Sequence, residues 1–415
     1  MKRIKRMLAC SVIAVICFFS TSCTSLIEET ISKVTVEITN EVTNKVVDYE
    51  NITITDFESA IEETIKSVEK SVVGVTLKEK TYVTIEGEVV PSEDSIGLGS
   101  GVIYRREELP NKEGFKYFAV TNRHVVTDDT ASGELLIYVY DGYNDTEIPA
   151  KVVGYDEKVD VAVIEFEYTK YIDPVEFADS DQIKKGNFVV AMGNPKGYEY
   201  YSSATLGIIS GDIRYLSEDT DGDNINDFLS LYIQHDAAIN PGNSGGGLFT
   251  MDGKLVGINT MKLVTVSGAD IDNMGFAIPS NVVKTIALEY IEKGVEIVRP
   301  RLGITTISVK DLTPAYIKEF DLKLVPEKLF LDGIKYGLYI TDNLSAGCSF
   351  SNTGIEKHDI LLEFDDEKIM NMDIVSAKLN SLVDYKIGDE INIKYYDRSA
   401  DTIVTETVVL KAQSK

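Results

Sequence analysis

The chain predicts a mainly β fold built from antiparallel barrels. Three features of its 415 residues carry that expectation. From Val72 to about Val266, short apolar runs alternate with turns rich in Gly, Asn and Asp. Helical spacing appears at the two flanks of that span, over Phe57–Lys70 and Ser280–Lys293. Hydrophobic content of 44% and charged content of 26% are those of a globular chain, long enough for two or three domains.

The N-terminus stands apart from the fold. Met1 to Arg6 is basic, and Met7 to Phe19 is an apolar stretch too short to span a bilayer. Ser20-Thr21-Ser22-Cys23 follows, which resembles a bacterial lipoprotein cleavage site with Cys23 as the lipidated residue. Ser20 stands where that pattern usually has Leu, so an ordinary secretory signal or an uncleaved anchor stays open. Each alternative places the body outside the cytoplasm and attached to a membrane. Residues 24–56 read as a tether. In the helix that follows, Phe57, Ile61, Ile65 and Val68 share a face, with Thr55 and Glu58 as a capping box. Gly97-Leu98-Gly99-Ser100-Gly101 lacks the Lys-Ser/Thr pair of a phosphate cradle and reads as strand and turn. The helix from Ser280 carries Val282, Val283, Ile286, Ala287, Tyr290 and Ile291 inward and stops at Gly294. Gly294 to Pro300 is then a linker.

Composition removes several function classes. With 41 basic and 67 acidic residues the net charge is −26, and no basic patch offers a nucleic-acid footprint. Cys10 and Cys17 lie in the signal, leaving Cys23 and Cys348, too few for a disulfide framework. Three histidines without His/Cys clusters exclude a zinc protease.

The chemistry sits in Asp236-Ala237-Ala238-Ile239-Asn240-Pro241-Gly242-Asn243-Ser244-Gly245-Gly246-Gly247-Leu248. Glycines around one serine allow consecutive N–H groups to converge beside its hydroxyl, as an oxyanion site requires. His124 ends the strand-like run Phe118–Thr121, and Asp160 opens the strand Val161–Phe166. Asp156 is a nearby competitor for the acid. His, Asp, Ser is the chain order of serine proteases on the double β-barrel. These segments, with Gly99–Ile103, Gly193-Asn194-Pro195 and Gly275–Pro279, resemble the HtrA/Deg family of serine proteases over residues 57–415. Gly247 stands in place of the family's usual Pro, and Arg123 in place of a small or amide residue.

The resemblance implies a fold and a set of roles. The fold is a chymotrypsin-like double six-stranded barrel over 57–294, followed by an α+β PDZ domain over 295–415. Ser244 is the nucleophile, His124 the base and Asp160 its orienting acid. N–H groups of Gly242, Asn243 and Ser244 line the oxyanion hole. Ile239 and Asn240 wall the substrate pocket together with the loop Asn259–Asn273, which implies small or medium aliphatic residues in unfolded proteins. Arg301-Leu302-Gly303-Ile304 resembles the carboxylate-binding loop of a PDZ domain that captures peptide C-termini. His358 replaces a glycine of that domain, which puts a standard turn there in doubt. Asp219, Asp221, Asp223 and Asp227 alternate like a calcium loop, but Asn224 and Ser230 stand where Gly and a bidentate Glu belong. A solvated acidic loop is the favoured alternative, at the place of a regulatory loop of the family. His235 reads as a packed residue. The activity needs no cofactor, and the family implies trimers. The competing functions are a catalytically silent peptide-binding chaperone and a surface adhesin.

Overall fold

The computed structural model describes residues 53–412, apart from 86–87, 111–112, 128–133, 141–144, 195–199, 219–227, 263–264, 267–268, 271–272, 313–335, 343 and 345. The signal segment with Cys23, most of the tether, the acidic loop and parts of the pocket loop lie outside the described residues. The chain divides into a short unit, Met1–Ser59, and one compact unit, Ala60–Lys415.

Helix α1 (Ile54–Val68) starts three residues earlier than its spacing predicts. Thr53, not Thr55, forms the capping box: the Thr53 hydroxyl accepts the Asp56 N–H at 3.1 Å, and the Asp56 carboxylate accepts the Thr53 N–H at 2.8 Å. Asp replaces the usual Glu at the third position, which is why the box was not legible.

Six strands close the first barrel in the order β1-β2-β3-β6-β5-β4. They are β1 (Val72–Ile85), β2 (Glu88–Glu108), β3 (Phe115–Thr121), β4 (Glu134–Tyr140), β5 (Asp145–Asp156) and β6 (Val161–Tyr168). A one-turn helix, α2 (Arg123–Val126), follows β3. Val75, Ile103, Ile137, Ile164 and Phe166 fill the interior. Truncating one such side chain to Ala costs about 2–5 kcal/mol. Buried Tyr117 is tolerated there because its hydroxyl donates to Lys170 O and accepts from Ile172 N–H, both at 2.8 Å.

The second lobe is a seven-stranded sheet in the order β8-β7-β11-β12-β15-β10-β9. Its strands are β7 (Phe188–Gly193), β8 (Ser203–Ile208), β9 (Arg214–Glu218), β10 (Phe228–His235), β11 (Gly247–Thr250), β12 (Leu255–Lys262) and β15 (Gly275–Pro279). The pair β13 (Thr265–Val266) and β14 (Ala269–Asp270) forms a small ribbon between β12 and β15 in sequence. Ile209, just past β8, bridges His235 of β10. Six strands thus close through a single bridge, with β9 outside. The expected barrel is present in outline, but one rung replaces a full ladder.

The two lobes share a core. Val102, Val120 and Val163 of the first pack with Met192, Phe249, Leu255 and Ile258 of the second. Helix α3 (Ser280–Lys284) runs on as a π-helix to Ile291 and adds Val282, Val283, Ile286 and Ala287. Gly294 follows with φ +61°, the left-handed stop its position predicts.

The C-terminal sheet orders β16 (Thr306–Ser308), β17 (Leu338–Ile340), β18 (Ile360–Phe364), β20 (Glu390–Asp397) and β21 (Thr402–Val409), with β19 (Glu367–Lys368) paired to β18. Helix α4 (Met372–Ser381) starts where the Asn371 side chain accepts the Ile374 N–H at 3.1 Å. His358 adopts φ +81° in the position of the missing glycine, and its Nδ1 meets the Tyr339 hydroxyl at 2.7 Å.

Candidate active site

Strand register brings the first two residues together. β3 pairs with β6 so that Thr121 faces Ala162. Residues just past β3 therefore lie beside those just before β6. Asn122 Nδ2 and Arg123 N–H donate to Asp160 O at 3.0 and 3.2 Å, and the His124 N–H donates to Asp160 Oδ1 at 3.0 Å. His124 Nδ1 lies 2.8 Å from Asp160 Oδ2. The imidazole is half exposed and the carboxylate buried. Asp160 holds φ +55°, a strained conformation for a residue with a Cβ.

Asp156 does not compete for this place. Its carboxylate accepts the Lys158 N–H at 2.8 Å and pairs with Arg299.

The serine turn crosses from the second lobe. Gly245 has φ +82°, and a Cβ there would lie 2.0 Å from Ser100 O and 2.3 Å from the Thr121 hydroxyl. A Cβ on Gly246 would lie 2.2 Å from Met192 O. Only glycine fits such close backbone approaches. The backbone of Asn259 accepts the Gly245 N–H at 2.8 Å and donates to Gly246 O at 2.9 Å, tying the turn to β12.

Two residues that the sequence did not single out hold the site. Ser100, fully buried, donates its N–H to Ser244 O and its hydroxyl to Gly242 O, at 2.8 and 2.7 Å. The same hydroxyl accepts the Asn194 N–H at 2.8 Å. Thr260 donates its hydroxyl to Asp160 Oδ2 at 3.0 Å, and its carbonyl accepts the Ser244 hydroxyl at 2.9 Å. It thus touches both the acid and the serine. The sequence marks Thr260 only as part of the pocket loop Asn259–Asn273; its contact with Asp160 depends on how β12 of the second lobe meets the first barrel, which spacing does not reveal.

The expected three-donor nest changes in one respect. The Asn243 N–H donates to Asn240 O at 2.9 Å and closes the turn, so it faces away from an incoming oxygen. Among the described residues the Gly242 and Ser244 N–H groups donate to no backbone or side-chain acceptor. Ile239 is buried and Asn240 exposed. Arg301 and Gly303, the latter with φ +74°, lie far along the chain in the segment just before β16, where the Arg301 N–H donates to Lys411 O at 2.9 Å. Leu302 is buried in that sheet's core with Ile304 packed against it.

Two β lobes with a His–carboxylate pair on one and a glycine-bound serine on the other define the trypsin-like class. The family model of the trypsin-like peptidase domain matches residues 99–258. The chain is 36% identical over 341 residues to a "Serine protease Do-like HtrA" of Bacillus subtilis, covering 81% of this chain and 70% of that protein. It is 36% identical over 297 residues to the protein of that name from Lactobacillus helveticus, covering 71% of this chain and 64% of the relative. The chain belongs to the HtrA family of serine proteases. Among solved structures, an "HtrA-type protease AlgW with decapeptide" shares the fold, with a TM-score of 0.58 and 23% identity over 85% of this chain and 99% of that one.

Proposed function

We propose that this chain is an extracytoplasmic endopeptidase that cleaves unfolded or misfolded proteins through an acyl-enzyme on Ser244. The observation that carries the proposal is the 2.8 Å contact between His124 Nδ1 and Asp160 Oδ2 beside the serine turn. An imidazole held at Nδ1 by a carboxylate is set in the tautomer whose Nε2 takes the serine proton. The Ser244 hydroxyl must swing from Thr260 O towards Nε2 as substrate enters. Oγ then attacks the scissile carbonyl, His124 accepts the proton, and Asp160 stabilises the imidazolium. The Gly242 and Ser244 N–H groups hold the oxyanion. His124 returns the proton to the leaving amine, and water releases the acyl group by the same path reversed. Protein groups suffice for each step.

Substrate selection belongs to the same proposal. Ile239 and Asn240 wall a pocket for small or medium aliphatic residues. The C-terminal sheet acts as a PDZ domain, in which the loop Arg301–Ile304 binds a peptide carboxylate beside the edge strand β16. A lipid on Cys23 holds the enzyme at the outer face of the cell membrane, where trimers form.

Casein cleavage by residues 24–415 tests the reading against Ser244→Ala, with folded and unfolded substrate. The wild type cleaves unfolded casein, and the variant loses several powers of ten in turnover. Equal cleavage by both would remove Ser244 from the mechanism. The orientation of the Ser244 hydroxyl towards Thr260 favours one other reading, a peptide-binding chaperone that does not cleave. It predicts no hydrolysis by either protein, even with C-terminal peptides added.

A further inference from the structure

The linker into the C-terminal sheet carries a buried charge. Arg299 is 9% exposed, Asp156 is 4% exposed, and their side chains form an ion pair. A buried ion pair is a poor source of stability, because desolvation offsets the attraction. Its position suggests another use. Asp156 ends β5, and its Oδ1 accepts the Lys158 N–H at 2.8 Å, tightening the turn 157–160. That turn delivers Asp160, which must hold φ +55° to face His124. Strain of this kind persists only where the surroundings over-determine it. Asn122, Arg123 and Thr260 grip Asp160 itself; Asp156 grips the start of its turn.

Arg299 is in turn anchored. Its Nε donates to Asn380 O at 2.9 Å, and Asn380 Nδ2 donates to Leu229 O of β10 at 2.7 Å. Leu382, fully buried with φ +57°, enters the core that the two barrels share. The planar guanidinium can serve Asp156 and the Asn380 carbonyl together, which an ammonium cannot do with the same geometry.

We propose that Arg299 is a positioning residue for the reaction: by gripping Asp156 it fixes the turn that aims Asp160 at His124. The inference rests on the reading of His124, Asp160 and Ser244 as the reacting groups. It makes the linker and the end of α4 part of the apparatus that shapes the first barrel's half of the site.

The test is steady-state cleavage of a short fluorogenic peptide by the full chain, with thermal unfolding of each variant. Arg299→Met should lower kcat by about tenfold or more and leave KM within about twofold, because a small misplacement of the acid acts on the chemical step. Arg299→Lys, which keeps a cation against Asp156 but cannot also hold the Asn380 carbonyl, should recover only part of that loss. Ile393→Ala opens the core of the C-terminal sheet without touching Arg299, Asn380 or the turn, so it should lower Tm and leave kcat at 25 °C intact. Wild-type kcat in Arg299→Met beside a crippled Asp160→Asn would overturn the proposal alone. An equal kcat loss in Ile393→Ala and Arg299→Met would also overturn it, since general loosening would then explain both. Full activity in Asp160→Asn would overturn the proposal and the triad reading together.

Discussion

Acid should destabilise this protease through His235, over a pH range in which most carboxylates stay ionised. His235 is fully buried at the end of β10, and among the described residues neither ring nitrogen meets a partner in good hydrogen-bond geometry, the weak approach of the Ala237 backbone included. Gly275 lies across the ladder with no side chain to spare: a Cβ there would sit 2.6 Å from the imidazole Cε1. Around it are Ile209, Ile233 and Ile239 of an apolar interior, and among the described residues Asp236 is the charged neighbour acting on it. Burial pulls the imidazole pKa down from 6.5 to about 4, against weaker upward pulls from Asp236 and the Ala237 backbone. The unfolded chain therefore binds a proton below pH 6.5 that the folded chain refuses until about pH 4. Stability is full above pH 6.5 and is lost as pH falls towards 4. The difference between 6.5 and about 4 corresponds to about 3 kcal/mol, a large part of the ~5–15 kcal/mol of a typical fold.

The perturbation is His235→Leu, which fills the same space without a titrating group. Thermal unfolding of both proteins at pH 7 and at pH 4.5 is the assay. Other groups shift both curves alike, so the difference between the two pH shifts isolates His235. For a unit of this size, about 3 kcal/mol corresponds to ~4 °C in Tm, taking ~2 cal/mol/K per residue for the unfolding entropy. The wild type should lose that much more than His235→Leu on acidification. Equal losses would refute the reasoning and imply that the imidazole finds a partner or water inside the barrel.

Other substitutions test the site directly. Thr260→Val removes the hydroxyl that donates to Asp160 but keeps the carbonyl facing Ser244; kcat should fall by about tenfold with KM unchanged, and Thr260→Ser should restore it. Gly245→Ala forces a Cβ to 2.0 Å from Ser100 O, so peptide cleavage should be lost even where circular dichroism still shows a folded barrel.

The legible parts of the molecule are those that local backbone chemistry dictates. Glycines at 245 and 246 were readable because close approach and φ +82° leave no other residue type, and their density announced a turn built for something. The helix from Ser280 and its stop at Gly294 were readable from spacing and a left-handed terminus. Short apolar runs separated by Gly, Asn and Asp turns announced the strands. They could not announce that the second lobe closes through one bridge at His235, because closure depends on how far the sheet coils. Nor could they separate Asn243 from its neighbours. All three N–H groups sit in one turn, and only the fold assigns the middle one to Asn240.

The residues that stayed hidden share a cause, and it bears on the chemistry. Thr260, Ser100 and Arg299 each act on a residue more than 90 positions away or on two segments at once. Thr260 lies 100 residues from Asp160, Ser100 lies 142 from Gly242, and Arg299 lies 143 from Asp156. The first two contacts cross between the lobes and the third joins the linker to the first barrel, so each exists only when those parts are assembled. The acid and the base lie on the first barrel and the serine on the second, and no single lobe can align them. Long-range hydrogen bonds to buried polar atoms suit that task, because a donor left unpaired in a dry seam costs about 1–3 kcal/mol and penalises misassembly. The glycine turn supplies the shape of the site, and these long-range contacts supply its registry. Loss of Thr260 or Arg299 should therefore appear in kcat before it appears in the fold.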